Sequence, residues 1–404
     1  MANHRSAGRQ KMRVLIVGAG IAGSTLAHWL QRAGHDPTLL ERSHGLRSGG
    51  YLIDFWGTGF DVAERMGLVP RLRREGYELK EARDVAGDGH RIASLDPQRL
   101  VAGAGGRYVS ILRADLAAAI YDSLDDGVET IFGDTVARLT DGEQSISVEF
   151  DHGAPREFDL VVGADGLHSR VRELAFGHEY LYERDLGIAV AAFDVVGYRP
   201  RDEHVALMHA EVGFQAIRVA LREDLTMFML TFGHHGPVPT DDVGAQQELL
   251  RTSLADAGWE IPTILDELPR ARTLYLDRAN QIRMPSWTSG RVALIGDAAA
   301  SPSLLAGQGS ALAMVEAYVL AAELAATPED HRRAFDAYER RLMPMLRSKQ
   351  DAAKGLGTAF APPNRLRLML RNTLMRLMGL PPVANLAMGR SLRDPIELPA
   401  WPGT

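Results

Sequence analysis

The protein has 404 residues, enough for two to three domains with sizeable cores. Apolar residues make up 46% and charged residues 24%, which excludes a disordered, collagen-like or coiled-coil chain. The formal net charge of −7 argues against nucleic-acid binding, because phosphate neutralisation needs an excess of basic residues. The sequence contains no cysteine, which excludes disulfides and thiolate metal sites and fits the reducing cytosol. We therefore predict a cytoplasmic protein.

The first forty residues predict a nucleotide site. An apolar strand over 12–17 runs into Gly18-Ala19-Gly20-Ile21-Ala22-Gly23, and residues 24–33 have a helical period. Gly18 permits the tight turn, Gly20 lets the backbone approach a pyrophosphate, and Gly23 lets helix and strand pack closely. The helix N-terminus adds free N–H groups and a positive dipole end. Interrupting glycines and polar residues argue against a signal or membrane segment here.

A second strand over 37–40 ends at Glu41, 23 residues after Gly18. A carboxylate in this position accepts hydrogen bonds from ribose hydroxyls and disfavours a 2′-phosphate, so NADP is not expected in this site. The glycine turn and its acid do not decide between FAD and NAD.

Strand-like runs over 129–139, 145–150 and 157–162 predict a small hairpin layer attached to the nucleotide-binding domain. The last run leads through small residues into an Asp165-Gly166 turn and then a polar helix start. The turn lies at the carboxyl end of a strand, where open α/β sheets bind ligands.

The runs 187–196, 205–209, 213–221 and 225–232 predict an antiparallel sheet that roofs the cofactor. Gln215 and Arg218 are candidates for hydrogen bonds to a phenolate or carbonyl of a substrate. The alternative for Arg218 is a solvated or paired strand residue. No histidine cluster here favours a metal, and the sequence predicts no metal site.

A further strand over 292–295 delivers Gly296 and Asp297, and Gly307-Gln308-Gly309 opens an alanine-rich helix to about 326. This second helix N-terminus suits the edge of an isoalloxazine ring, which becomes negative on reduction. The pair of helix ends therefore favours FAD. No second Gly-x-Gly-x-x-Gly follows a strand, so the sequence predicts no second Rossmann domain that would hold NADPH.

Two helices are predicted over 332–349 and 365–380. In the second, the leucines at 366, 370, 374 and 377 form one stripe with arginines beside it. Such a helix can lie on an anionic membrane. We favour packing across the two domains, with the arginines in solvent or paired, and predict no membrane contact.

Three motifs together resemble the class A single-component flavin monooxygenases, a para-hydroxybenzoate hydroxylase-like family, nearest to its aromatic-polyketide hydroxylases and tetracycline-inactivating monooxygenases. They are Gly18-x-Gly20-x-x-Gly23 with Glu41 and Arg42, Asp165-Gly166-x-x-Ser169-x-x-Arg172, and Gly296-Asp297-Ala298-Ala299 with Gly307-Gln308-Gly309. The resemblance covers nearly the whole chain and implies an α/β fold. This fold has a Rossmann-like FAD-binding domain (1–72, 100–182 and 273–330), an inserted antiparallel-sheet substrate domain (73–99 and 183–272) and a C-terminal helical region (331–404).

The resemblance also implies which residues bind the non-covalent FAD. Glu41 is expected at the adenosine ribose, Asp165 near the pyrophosphate and the nicotinamide donor, and Asp297 at the ribityl chain. The full set of expected cofactor-binding residues is Gly18, Gly20, Ala22, Gly23, Glu41, Arg42, Arg47, Gly49, Arg113, Asp165, Gly296, Asp297, Gly307, Gln308 and Gly309. The sequence departs from the family at Ala300, where a histidine is usual, and over 301–305, which leaves the substrate side less defined.

The implied activity is hydroxylation of an aromatic, polycyclic, natural-product-like substrate through a flavin C4a-hydroperoxide, with NADPH or NADH as transient reductant and O2 as oxidant. Epoxidation, Baeyer–Villiger oxidation and non-catalytic flavin binding remain alternatives. The expected partners are small molecules only, and the protein is expected to be a monomer or homodimer.

Overall fold

The computed structural model describes residues 11–46, 49–98, 106–353, 357–379 and 396–402. Arg47, one of the predicted cofactor-binding residues, lies outside these ranges.

Strands and helices alternate in the first part of the chain, and helices dominate its end. The strands are β1 (Arg13–Val17), β2 (Asp36–Glu41), β3 (Leu52–Trp56), β4 (Glu81–Val85), β5 (Arg91–Leu95), β6 (Tyr108–Leu112), β7 (Glu129–Phe132), β8 (Val136–Asp141), β9 (Ile146–Phe150), β10 (Arg156–Phe158), β11 (Leu160–Gly163), β12 (Glu183–Arg184), β13 (Ile188–Val196), β14 (Val205–Glu211), β15 (Phe214–Ala220), β16 (Leu225–Gly233), β17 (Leu274–Arg278), β18 (Gln281–Ile282), β19 (Thr288–Ser289) and β20 (Val292–Leu294). The helices are α1 (Ile21–Arg32), α2 (Thr58–Arg65), α3 (Val69–Glu75), α4 (Arg113–Tyr121), α5 (Arg170–Phe176), α6 (Val243–Ser253), α7 (Ile261–Asp266), α8 (Asp297–Ala300), α9 (Gly309–Ala326), α10 (His331–Ala353), α11 (Gly357–Phe360) and α12 (Arg365–Met378).

A six-stranded sheet in the order β19-β20-β11-β1-β2-β7 carries the predicted nucleotide site, and all its pairings are parallel except β19 with β20. Its central strands are apolar and buried on both faces, as parallel strands covered by helices are. Helix α9 packs against α1, α2 and α10. Among the described residues, α9 is the one helix long and apolar enough to cross a membrane, but 78% of it is buried, as in a core helix.

A seven-stranded sheet in the order β17-β13-β16-β15-β14-β4-β5 forms the second layer, and its pairings are antiparallel except β14 with β4. The four strands predicted between 187 and 232 are all present in it. One face packs against α6 and α7 through residues such as Phe193, Phe228 and Ile264. Because side chains alternate along a strand, Ile217 and Val219 point to the other face.

The predicted hairpin layer over 129–162 is wrong in part. Residues of β7 and β11 belong to the parallel sheet, and β8, β9 and β10 form a separate three-stranded sheet. The chain changes sheets at Asp134, whose carboxylate accepts hydrogen bonds from the N–H groups of Thr135, His152 and Gly153. In addition, β17 pairs with β13, although the predicted boundary at 273 assigned its residues to the FAD-binding domain.

The C-terminal helices are present, and the arginines of the last one are exposed or paired, as in the favoured interpretation; packing across the two domains through its leucines is not seen. The stripe leucines of α12 are exposed, whereas Arg371 is buried. The side chain of Arg371 contacts Asp84 of β4 and Gln215 of β15, so the side of the helix that carries Arg371 faces the protein.

Candidate functional site

The glycine turn between β1 and α1 is shaped by two close approaches. A Cβ atom on Gly18, whose φ is +106°, would lie 2.5 Å from the carbonyl oxygen of Ala164. A Cβ atom on Gly23 would lie 1.9 Å from the carbonyl oxygen of Gly18. Gly20 differs, since within the described part of the chain no atom lies within 4 Å of its hypothetical Cβ. The turn therefore packs tightly on its protein side and is open at the N-terminus of α1.

Glu41 is bound to this turn directly. Its Oε2 atom accepts the N–H of Ala19 at 3.1 Å, and its Oε1 atom accepts the N–H of Ser43 at 3.0 Å. These bonds hold the carboxylate at the end of β2, beside the opening of the glycine turn. Arg42 is exposed next to it. This geometry agrees with the predicted ribose site, and the contact itself remains a prediction.

The second motif reaches the first through the backbone. The hypothetical Cβ of Gly18 lies 3.0 Å from Cα of Asp165. The Asp165 carboxylate accepts hydrogen bonds from Ser169 Oγ at 2.5 Å and from the Val171 N–H at 3.1 Å. It therefore stabilises the N-terminus of α5. Burial raises the pKa of Asp165, and the Ser169 bond opposes this rise. The carboxylate of Asp165 is thus engaged within its own turn, and its expected role near the pyrophosphate remains a prediction.

Arg172 links the second motif to the third. Its buried guanidinium donates to the carbonyl oxygen of Leu167 at 2.6 Å, to that of Ala298 at 3.1 Å, and to Glu179 at 2.5 Å. Gly296 is also close to the first motif, because a Cβ on it would lie 3.2 Å from Cβ of Ala22. The three separated motifs therefore meet at one edge of the parallel sheet.

Asp297 lies where this edge meets the long helix α9. The carboxylate is half-buried, and its Oδ1 atom is 3.8 Å from the hypothetical Cβ of Gly309. Burial raises the pKa of Asp297, while the positive charge of Arg113 acts in the opposite direction. Gly307 has a left-handed backbone, and α9 begins after Gln308 without a side-chain cap. The first N–H groups of α9 thus remain available to a negative group.

Arg113, at the start of α4, is exposed, and its N–H donates to the carbonyl oxygen of Tyr51 at 3.1 Å. The aromatic rings of Tyr51 and Tyr275 lie with their centroids 5.8 Å apart. Burial raises the pKa of both tyrosines, so their hydroxyls stay protonated near neutral pH. Neighbouring Gly49 has a φ of +76°, and a Cβ there would lie 2.7 Å from the side chain of Thr273. This places the loop of Gly49 beside the seven-stranded sheet.

Glu316 of α9 is a site residue that the sequence analysis missed. It is 1% exposed, and its Oε2 atom accepts the N–H of Gly296 at 2.7 Å. The Tyr338 hydroxyl lies 3.4 Å from the same oxygen and 3.0 Å from the carbonyl oxygen of Leu294. Burial raises the pKa of Glu316 well above its ordinary value. Glu316 thus holds the Gly296 turn in place from the buried side. The one available signal was an acid in the middle of an otherwise apolar stretch of the helix.

The two substrate-side candidates have different surroundings from those expected. Arg218 is buried, and it contacts the carbonyl oxygen of Pro200 and the carboxylates of Asp202 and Glu260. Its strand neighbours Phe214 and Ala216 face the core under α6 and α7. The structure therefore does not support a substrate contact for Arg218 and agrees with the paired alternative.

Gln215 lies on the opposite face of β15. Its side-chain oxygen accepts a hydrogen bond from Arg371 at 2.9 Å. Gln215 thus helps to hold α12 in place, and its contact with a substrate remains a prediction.

The converging turns, the two open helix ends and the acids beside them fit an elongated dinucleotide with a negative centre and an aromatic ring. The protein is an FAD-binding oxidoreductase by fold and by site. Residues 11–351 match the family described as FAD binding domain.

Known proteins agree with this assignment. The chain is 33% identical over 341 residues to a flavin-dependent monooxygenase of an unknown prokaryotic organism, covering 84% of this chain and 87% of that protein. The crystal structure of tetracycline destructase Tet(51) has a TM-score of 0.83 and 27% identity, covering 97% of this chain and all of the other. HpxO of Klebsiella pneumoniae, complexed with FAD and uric acid, shares the fold at 21% identity, with a TM-score of 0.78 and coverage of 94% and 96%.

The chain belongs to the FAD binding domain family and is an FAD-dependent monooxygenase of class A. The resemblance found in the sequence is thereby confirmed, as are the fold class and the cofactor.

Proposed function

We propose that the protein hydroxylates an apolar aromatic substrate of polycyclic size, using NADPH or NADH to reduce its FAD. One oxygen atom of O2 enters the substrate, the other leaves as water, and NAD(P)H supplies two electrons. The reduced flavin supplies the oxygen activation. The chain's part is to hold the flavin, orient the substrate and exclude water.

The observation that carries this proposal is a pair of connected apolar clusters, which run from the segment before the N-terminus of α9 onto the seven-stranded sheet. Leu304 and Leu305, just before Gly307, pack with Ile188 and Val190 of β13. Met229 of β16 belongs to this cluster and also to the next one.

The next cluster extends this apolar region toward the loop of Gly49. It joins Ile217, Val219 and Met227 of the sheet to Tyr51 and Tyr77. A flat hydrophobic molecule held between these side chains would lie against the segment that leads to the N-terminus of α9. The two tyrosine hydroxyls near Arg113 are the polar groups available to orient it.

The second part of the proposal concerns the residues that bind FAD. We propose that the open turn at Gly20 and the start of α1 bind the pyrophosphate, with Glu41 at the ribose. Asp297 binds the ribityl chain, and the N-terminus of α9 faces the flavin ring. The uncapped first turn of α9, with no acidic residue in it, favours negative charge on the reduced ring.

Three measurements test the proposed reaction. The absorption spectrum of the purified protein should show bound flavin, and NADPH consumption should accelerate when polycyclic phenols are added. The product should gain one oxygen with its rings intact. A product with an expanded ring, or flavin without any acceleration by aromatic compounds, would refute the substrate assignment.

The role of Asp297 is tested by replacement with alanine. Asp297→Ala should lower FAD retention at least about tenfold, since one charge-assisted hydrogen bond contributes roughly 1.5–3 kcal/mol. The matched control is Asp336→Ala, which removes an exposed acid of α10. Equal flavin content in both variants would count against the ribityl contact.

A further inference from the structure

The outer face of α12 exposes a cluster of large apolar side chains. Five of the ten such side chains that are exposed in the described part of the protein lie on this one helix. We call them the α12 outer surface: Leu366, Met369, Leu370, Leu374 and Leu377. Leu366 is 74% exposed and Leu370 is 58% exposed. Single exposed leucines are common on proteins, whereas a contiguous apolar band indicates a contact surface.

The orientation of the helix is fixed by its inner face. Arg371 is buried and lies 2.9 Å from Asp84 Oδ2 and 2.9 Å from Gln215 Oε1. At the end of the helix, a Cβ on Gly379 would lie 3.1 Å from the carbonyl oxygen of Ser94 in β5. A rotation that buried the leucines would remove the only cation that the described residues pair with Asp84. The outward position of the leucines is therefore part of the folded structure.

Positive charge borders the apolar band on both sides. At 100° per residue, Arg365 and Arg376 fall on one side of the band and Arg367 on the other, and all three are exposed. Helix α12 contains no acidic residue. Arg91, at the start of the adjacent strand β5, is exposed as well.

This arrangement matches the chemistry of an anionic lipid surface. Leucines at the centre of the band can enter the boundary between headgroups and acyl chains, while the arginines at its edges bind phosphates. Each basic residue near an anionic membrane adds to the attraction. A second copy of the chain fits less well, because a two-fold contact of this surface with itself would bring arginines against arginines without an acid on the helix to pair with them.

We propose that the α12 outer surface docks the protein onto membranes that contain anionic phospholipids. The binding is peripheral and reversible, and it does not depend on the proposed reaction.

The test is sedimentation of the FAD-loaded protein with vesicles. Mixed phosphatidylcholine–phosphatidylglycerol vesicles should retain the protein, retention should fall as salt is raised, and pure phosphatidylcholine vesicles should retain much less. The double variant Leu370→Ser/Leu374→Ser should partition at least about tenfold less, because two apolar side chains are lost from the band. The control is Val243→Ser, which removes a side chain of similar exposure, 56%, on α6. Unchanged flavin content would show that the variants are folded.

Three outcomes would overturn the proposal. The first is no retention of the wild-type protein on anionic vesicles, which means that something else covers the surface. The second is equal loss of retention in the Val243→Ser control. The third is a dimer in solution that Leu370→Ser/Leu374→Ser converts to a monomer, which would assign the surface to a second copy of the chain.

Discussion

Replacement of Glu316 by glutamine should change how stability depends on pH. Glutamine keeps an oxygen that can accept the Gly296 N–H but cannot ionise. In the wild-type protein, burial raises the pKa of Glu316 well above its ordinary value of 4.5. Below pH 4.5 the folded and unfolded chains both hold the proton, so the stability due to Glu316 is then fully present.

Between pH 4.5 and the raised pKa, the unfolded chain releases a proton that the folded chain keeps. The free energy of unfolding of the wild type therefore falls, relative to Glu316→Gln, by about 1.4 kcal/mol for each pH unit. The assay is urea unfolding at saturating FAD, at pH 5.5, 6.5 and 7.5 in both proteins. The control is Glu248→Gln, an exposed acid of α6. A difference between wild type and Glu316→Gln that stays constant with pH would refute the inference that Glu316 is protonated in the fold.

Two further predictions concern the glycine turn and α12. Gly20→Ala should give a folded protein with low flavin content, since its Cβ meets only the open side of the turn. Gly23→Ala should fail to fold normally, because its Cβ would overlap the Gly18 carbonyl. Flavin content and circular dichroism distinguish the two variants, and equal behaviour would contradict the assignment of Gly20 to the pyrophosphate site. Asp84→Asn should lower the free energy of unfolding by about 3–5 kcal/mol, because it leaves Arg371 buried without its counter-charge, and the double variant Asp84→Leu/Arg371→Met should recover most of that loss in urea unfolding.

The cofactor motifs were predictable because each one is local. The strand, turn and helix around Gly18 are set by neighbouring residues, and the same holds for the turns at Asp165 and Gly296. Parallel strands bring their carboxyl ends to one edge, so the meeting of the three motifs also follows from the fold class. The strands and helices predicted around the cofactor motifs agree with β1, β2, α1 and α9.

The supporting contacts were not predictable, because their partners are far apart in the sequence. Arg172 reaches a carbonyl 126 residues away, at Ala298. Glu316 reaches Gly296 across 20 residues, from the other side of the same turn. Periodicity predicts that such a residue is buried, but it gives no information about which backbone atom it meets. The substrate contact expected for Arg218 is unsupported for the same reason, since Asp202 and Glu260 lie outside its strand.

Helix α12 shows this limit most directly. Its leucines and arginines have the expected period, and the sequence alone favours burial of the leucines because apolar area stabilises the fold when it leaves water. The deciding residue is Asp84, which is 287 residues away from Arg371 and fully buried in β4. A buried carboxylate without a partner is costly, and Arg371 is the cation that reaches it. The helix therefore turns Arg371 inward, and its leucines remain available for a contact outside the protein.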